Sequence, residues 1–367
     1  MISAGAERAL QPLDNLRRHA LRAAVRVPPL RRAMLRRETR VPLLMSAHAL
    51  VAFLLAVFIP SLSLVLAPLA LGVPHVASDV RHLVVRRAVP RWWMRAVWAF
   101  AVALVGARLM EEIHAWPALS TLSMMRAEHA LASAWLLVGA IGGAHLGARN
   151  TRLPTRAGII AVALAISAAA WFAPIVFRLV FVQAHNLIAI AIWLAVFRRR
   201  LRGAWIPLTF IVVGAGALAS GALLRTTVEH GVLSFAGLHL FVAADWLAPG
   251  LGDANGIAFT VTFAFLQSVH YAIWLIAIPQ EDARAGATTT FRTTWRDLIA
   301  DFTPLGVGLV IAIGAIVLLA GIQHPLVTRN LVLSLATFHS WMELAALAFL
   351  LASGRLATNR DATSART

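Results

Sequence analysis

The sequence predicts an all-α polytopic membrane protein, a bundle of about ten transmembrane helices preceded by an amphipathic helix. Of its 367 residues, 60% are hydrophobic and 13% are charged, and the mean hydropathy is +0.77. A soluble domain of ordinary composition is less apolar. The apolar residues also form runs near 20 residues, the length that crosses about 30 Å of hydrocarbon as a helix.

The first 40 residues are rich in arginine and poor in acidic residues, a composition that transit peptides share. However, Leu13, Leu16 and Ala20 recur at helical spacing, with Arg17 and Arg18 on other faces. This pattern favours an amphipathic helix on the anionic inner leaflet. We therefore expect a cytoplasmic amphipathic segment at 1–40, a transmembrane domain at 41–353 and a cytoplasmic tail at 354–367.

Ten apolar runs follow this segment, and several adjacent runs meet at a proline. They cover residues 41–60, 61–80, 95–110, 119–142, 157–173, 174–197, 203–224, 256–279, 303–323 and 325–352. Between the seventh and eighth runs lies the longest segment that is not expected to span, residues 225–255.

The distribution of arginine predicts the orientation of the bundle. All 33 basic residues are arginine, and 28 of them fall before the first run, in alternate connections or in the tail. Positive residues accumulate on the cytoplasmic side of membrane proteins. We therefore expect a multi-pass protein of the cell inner membrane with both termini in the cytoplasm.

Composition also excludes several classes of protein. Without cysteine, the chain has no disulfides, no thiolate metal site and no thiol catalysis. Without lysine, it has neither a Schiff-base lysine nor a Walker lysine. Its net charge of +17 is spread over the inner segments and accompanies no nucleic-acid-binding motif, so we expect no nucleic-acid partner.

The histidines are the residues with the clearest functional pattern. Six of them, from six runs, fall roughly 16–22 Å below the outer edge if each residue rises 1.5 Å. They are His48, His75, His129, His185, His270 and His339. An isolated intramembrane histidine is usually an interhelical hydrogen-bonding residue. Six at one depth favour a shared metal ion or cofactor, because unpartnered polar groups in hydrocarbon cost about 2–7 kcal/mol each.

Polar neighbours accompany three of these histidines. Asp79 and Glu343 each follow a histidine by four residues, so each pair shares one helix face. Tyr271, the only tyrosine, and Gln267 lie beside His270. We expect these four residues to surround the ligands and orient their rings, as outer partners of metal-binding histidines do. Ordinary interhelical hydrogen bonding is the alternative for Tyr271 and Gln267.

Imidazole and carboxylate donors without thiolate suit non-haem iron, Fe²⁺, with copper or zinc next. Helices around such a site would enclose an apolar cavity open to the lipid bilayer, which suits molecular oxygen and an apolar small-molecule substrate. The histidine clusters of membrane desaturases and the His-Glu-x-x-His motif of zinc metalloproteases are absent.

Two segments resemble a known family. LGVPHVASD at 71–79 is similar to the Gly-hydrophobic-Pro-His-Gly-Ala-x-Asp motif of the bacterial Brp/Blh family of integral membrane β-carotene dioxygenases. TFHSWME at 337–343 resembles a late histidine segment of that family. The resemblance implies a helical membrane fold, a non-haem iron held by four histidines, molecular oxygen and a carotenoid-like substrate. The ligands it implies are His75, His129, His270 and His339.

The chain departs from the family pattern at several positions. Val76 replaces the glycine after the first histidine, and Trp274 stands where the family has the second histidine of a His-x-x-x-His pair. One family ligand is therefore missing. Depth alone, and not the resemblance, suggests His185 or His48 as an additional ligand.

Two other functions remain open from the sequence. Buried histidines and carboxylates also build proton relays and ion pathways, so a transporter or a proton or metal-ion carrier is one alternative. A membrane protein with a bis-histidine haem is the other.

Overall fold

The computed structural model describes residues 2–87, 89–113, 120–198, 203–283 and 290–354, and helices dominate these ranges. The helices are α1 (Ile2–Val25), α2 (Pro28–Leu35), α3 (Arg37–Phe58), α4 (Pro60–Val80), α5 (Arg91–Glu112), α6 (Thr121–Leu146), α7 (Leu153–Phe172), α8 (Pro174–Ile192), α9 (Trp205–Ala219), α10 (Leu224–His230), α11 (Leu240–Leu247), α12 (Asp253–Ala272), α13 (Ile278–Glu281), α14 (Phe291–Gln323), α15 (Pro325–Leu335) and α16 (Thr337–Ser353). Short π-helical turns at Arg81–Val85, Trp193–Phe197 and Ile273–Ala277 extend α4, α8 and α12. The two strands, β1 (Ser234–Phe235) and β2 (Leu238–His239), pair antiparallel.

In the described ranges, nine continuous helical segments are long and apolar enough to cross a membrane. The bent pair α9 and α10 would make ten. The predicted all-α polytopic bundle with an N-terminal helix is therefore confirmed. The tail from residue 355 onward lies outside the described residues.

Prolines begin the second helix of three closely joined pairs, as the sequence predicts. Pro60, Pro174 and Pro325 each occupy the first turn, and a single residue separates each of them from the preceding helix. Proline suits this position because the first amide groups of a helix have no partner within it. Consecutive spans therefore reverse direction with a single residue between them.

The seventh predicted span, 203–224, differs from the structure. α9 ends at Ala219, and Gly221 follows with a φ of +74°, a left-handed conformation that glycine adopts without strain. The chain then bends by 77° into α10. The β1–β2 hairpin and α11 complete the connection to α12.

α14 begins twelve residues before the predicted start of its span at 303. The extra turns pack on α1, where the buried Asp14 accepts hydrogen bonds from the Phe291 backbone and the Arg292 side chain. Thr303, with φ +66° immediately before Pro304, breaks the helix between this part and its apolar half. Hydropathy located the apolar half only.

A row of glycines joins α6 to α16, and we call Gly139, Gly143 and Gly147 the glycine stripe. A Cβ added to Gly143 would lie 2.6 Å from the Phe349 carbonyl oxygen, and one added to Gly139 would lie 2.7 Å from that of Ala345. The two backbones therefore touch through positions four residues apart, the small-residue packing typical of membrane helices. This contact fixes α16 in the bundle.

Charged side chains, most of them buried, tie together the ends of α4, α13 and α14. We call this group the ionic layer; its members are Arg81, His82, Arg86, Arg87, Asp282, Asp297 and Asp301. His82 Nδ1 donates to Asp282 at 2.8 Å, and Arg86 Nε donates to Asp301 at 2.7 Å. Each described cation in the layer has an acidic partner, so these ion pairs hold the ends of the three helices together.

We expect Asp282→Asn to lower the free energy of unfolding by about 3–5 kcal/mol, because it leaves buried cations without their partner. Burial alone would raise the pKa of the Asp282 carboxyl, but the His82 hydrogen bond and the nearby arginines hold that pKa below its ordinary value of 3.8. This carboxyl therefore stabilises the fold above pH 3.8, and its contribution is lost as the pH falls towards the lower folded pKa.

Thermal unfolding in detergent measures this effect, with Asp297→Asn as the matched control. The Asp297 side chain is 46% exposed, so its replacement should cost less than about 1 kcal/mol. Equal losses of stability in the two variants would show that Asp282 is not a central partner.

Candidate metal centre

Four imidazoles from four helices contact one another in the centre of the bundle. We call His75 on α4, His185 on α8, His270 on α12 and His339 on α16 the histidine cluster. Ring centroids in five of its pairs lie 4.8–6.0 Å apart. Three members are buried and His185 is half-buried. Of the six histidines that the sequence places at one depth, four have rings in contact with one another.

The hydrogen bonds of His75 and His339 define where their free nitrogens point. His75 Nδ1 donates to the Leu71 carbonyl at 3.2 Å, and His339 Nδ1 donates to the Ala336 carbonyl. Because a neutral imidazole has one N–H, each Nε2 then carries a lone pair. The two Nε2 atoms face each other at 3.3 Å. Two lone pairs at this distance repel unless a proton or a metal cation lies between them.

His270 is a cluster member that also faces an acidic residue, Glu343. Neither of its ring nitrogens forms a hydrogen bond, although only 1% of the residue is exposed. Its Nε2 is 3.5 Å from Glu343 Oε1, which accepts a hydrogen bond from the Trp274 indole at 2.7 Å. Glu343 is therefore placed beside the ring of His270, and one of its oxygens also lies within 4.8 Å of a nitrogen of His339, the histidine on its own helix.

Asp79 has no partner of its own. It is fully buried, and neither carboxylate oxygen accepts a hydrogen bond. Glu343 Oε2 is likewise without a donor. Two sets of donor atoms each lie within 4.8 Å of one another: those of His75, His270 and His339, and those of Asp79, His339 and Glu343. Each set has the span of a metal site.

Tyr271 and Gln267 occupy the neighbouring face of α12, and both are buried. The Tyr271 ring lies 4.5 Å from that of His75 and 5.9 Å from that of His270. Tyr271 thus packs against two cluster members, as expected from its position beside His270.

His129 and His48 lie outside the histidine cluster. His129 Nδ1 donates to the Ala170 carbonyl at 2.9 Å, and its ring packs on Phe177. His48 Nε2 is 3.0 Å from the Ser268 carbonyl. Each of them turns to a backbone carbonyl of a neighbouring helix.

Three aromatic rings pack together where α8 meets α16. We call Phe177, Phe181 and Trp341 the aromatic wall; their ring centroids lie 4.7–5.7 Å apart. The wall borders His129, whose ring lies 5.3 Å from that of Phe177 and 6.3 Å from that of Trp341. Phe181 is one turn before His185 on α8, so this aromatic surface lies on the same helix as one member of the cluster.

A separate cavity of about 1270 Å³ lies between α4 and α14. Pro74, Ala77 and Val310 line its apolar part, and residues of the ionic layer line its other end. No member of the histidine cluster lines it. A molecule in this cavity would contact the face of α4 that points away from His75.

The sequence named His185 only as a substitute and did not identify Trp274 as a contributor. Trp274 follows His270 by four residues, so its indole shares that face of α12 and reaches Glu343. In a His-x-x-x-His pair this position carries a second histidine. In this chain it carries Trp274, a hydrogen-bond donor. His185 from α8 completes the group of four.

The fold and this cluster define a polytopic helical membrane protein with a buried histidine–carboxylate centre. No protein-family model, curated protein or solved structure matches the chain. Its chemistry must therefore be argued from the centre itself.

Proposed function

We propose that the protein is a membrane-embedded non-haem iron oxygenase that oxidises or cleaves a long apolar, carotenoid-like substrate. The observation that carries this proposal is the pair of lone-pair nitrogens of His75 and His339, 3.3 Å apart. Two imidazole nitrogens bound to one ion at about 2.1 Å in a tetrahedral arrangement are about 3.4 Å apart. The separation is thus that of two ligands of a common ion.

The donor set agrees with iron. His75, His185, His270 and His339 would hold the ion, and nitrogen donors beside carboxylates suit iron, copper and zinc. Four histidines are also the ligand set that the resemblance to the Brp/Blh family implies, with His185 in place of His129. Iron, when bound, supplies the binding and activation of molecular oxygen.

The protein's own residues would orient the ligands and position the substrate. The carbonyls of Leu71 and Ala336 fix which nitrogen of each ring points inward. Burial excludes water from the centre. The aromatic wall, whose Phe181 is one turn before His185 on α8, offers an apolar surface against which a conjugated chain would lie. From the arginine distribution we place the protein in the inner membrane with both termini in the cytoplasm.

The geometry favours a mononuclear or clustered ion over a haem. Two axial histidine nitrogens on one haem iron are about 4 Å apart, twice a metal–imidazole bond. The nitrogens of His75 and His339 are closer than that, and the four rings contact one another directly. A porphyrin has no space between these rings.

Expression in a carotene-producing bacterial host tests the proposal. We expect retinal or another apocarotenoid to form with the unaltered chain, measured by chromatography of extracted pigments, and formation to fall at least about 100-fold in His75→Ala. Exposed His145→Ala is the matched control and should form product normally. Equal product with His75→Ala would contradict the proposal. Metal flux in proteoliposomes without any pigment oxidation would instead support a carrier.

A further inference from the structure

We propose that the centre holds a second divalent cation, bound mainly by the carboxylates of Asp79 and Glu343, next to the ion of the histidine cluster. This inference rests on the proposed metal function and extends it. It would make the centre dinuclear, with one nitrogen-rich and one oxygen-rich position.

The first argument is that Asp79 does not accept a hydrogen bond from His75 or His339, whose Nδ1 groups have backbone partners. A carboxylate near a metal-bound histidine normally accepts the N–H of its ring. The Nδ1 of His75, however, already donates to Leu71, and that of His339 to Ala336. Backbone carbonyls thus do what Asp79 was expected to do, and both of its oxygens remain without a donor.

The second argument concerns charge. Among the ion pairs formed by described residues, none includes Asp79, and the one that includes Glu343 is with His270. Both carboxylates are 0% exposed. A buried carboxylate is expensive unless a charge partner or a metal satisfies it. In the described ranges neither carboxylate forms an ion pair with an arginine, and a bound cation would satisfy both of them.

The third argument is the number of donors. The nitrogens of His75, His270 and His339 lie within 4.8 Å of one another and form one set of donors. Three carboxylate oxygens, two of Asp79 and one of Glu343, are then left without a hydrogen-bond donor. One oxygen of each carboxylate also lies within 4.8 Å of a nitrogen of His339, and two-metal sites commonly place their ions about 3.5–4 Å apart. Because His339 Nε2 has a single lone pair, His339 belongs to the nitrogen-rich position, and the carboxylates hold the neighbouring ion.

The donors differ enough for the positions to prefer different metals. Imidazole suits iron, copper and zinc, whereas carboxylate oxygen suits manganese and magnesium as well as iron. We therefore expect Mn²⁺ to occupy the oxygen-rich position readily.

Metal stoichiometry of the full chain tests the inference. The protein, purified in detergent and stripped with a chelator, is reloaded with Fe²⁺ under anaerobic conditions or with Mn²⁺ alone, and elemental analysis gives ions per chain. We expect two ions in the unaltered chain and one in the isosteric variant Asp79→Asn/Glu343→Gln. Glu229→Gln/Asp245→Asn removes two exposed carboxylates and should leave two ions.

Magnetic resonance of the Mn²⁺-loaded unaltered chain gives a second measurement that needs no variant. Neighbouring ions should show an exchange-coupled spectrum in place of the hyperfine lines of isolated Mn²⁺. One ion per chain with an uncoupled spectrum would overturn the second position while leaving the proposed function intact. Two ions in the Asp79→Asn/Glu343→Gln variant would also overturn it. No bound ion at all would overturn both proposals.

Discussion

Replacing His339 by alanine is expected to remove the metal from the purified protein almost completely. His339 belongs to both sets of converging donors, and its Nε2 faces that of His75. Loss of an outer partner of a metal ligand typically costs 10–100-fold in affinity, so loss of a ligand itself should cost more than about 100-fold. Elemental analysis after purification in iron-supplemented medium measures the effect.

His129→Ala provides the matched comparison for metal content. His129 is a buried histidine of the same bundle at a similar depth, but it donates to a backbone carbonyl and lies outside the cluster. The variant should keep its metal even if its stability falls slightly. Equal metal loss in His129→Ala and His339→Ala would show that the ion is held by a different set of histidines.

Gly143→Leu is expected to disrupt the contact between α6 and α16, with the second-largest effect. Even a methyl group at residue 143 would approach the Phe349 carbonyl oxygen to 2.6 Å, and backbone cannot move aside as a flexible side chain can. Overpacking of this kind usually costs 1–3 kcal/mol and at times more. Since α16 carries His339 and Glu343, we expect a lower Tm together with weaker metal binding.

Gly158→Leu on α7 separates crowding from any general effect of leucine on a membrane helix. A Cβ at Gly158 would meet nothing within 4 Å. This variant should unfold at the same temperature as the unaltered chain and keep its metal. The account of helix packing would be wrong if Gly143→Leu behaved like Gly158→Leu.

Hydropathy predicted most of the fold because the length of a span depends mainly on the thickness of hydrocarbon that it crosses. The predicted runs correspond to the observed helices, except where backbone conformation intervened. Gly221 ends α9 early, and Thr303 hides a polar extension of α14. Neither break changes local hydropathy, so an apolar-run criterion could not detect it.

The candidate site was predicted only in part because depth and direction have different origins. Residue count along a helix gives the depth of a histidine, and six histidines shared one depth. The direction in which each ring points depends on how each helix is rotated about its axis when the helices pack. A single sequence does not give this rotation. His185 turns inward and His129 turns towards Ala170 for this reason.

A signal for one packing contact was nevertheless present. Gly139, Gly143 and Gly147 follow one another at intervals of four, the spacing that brings membrane helices into close contact. This pattern identifies the face of α6 that meets another helix. It does not identify α16 as the partner, because the opposing residues Ala345, Phe349 and Ala352 are not distinctive.

X-ray absorption at the metal edge of the purified, iron-loaded protein tests the central claim most directly, because it reports the atoms bound to the ion. We expect a first shell of nitrogen and oxygen at about 2.0–2.2 Å with the multiple scattering of several imidazoles. A protein that retains no metal, or an ion whose spectrum lacks imidazole, would contradict the claim that the histidine cluster is a metal centre.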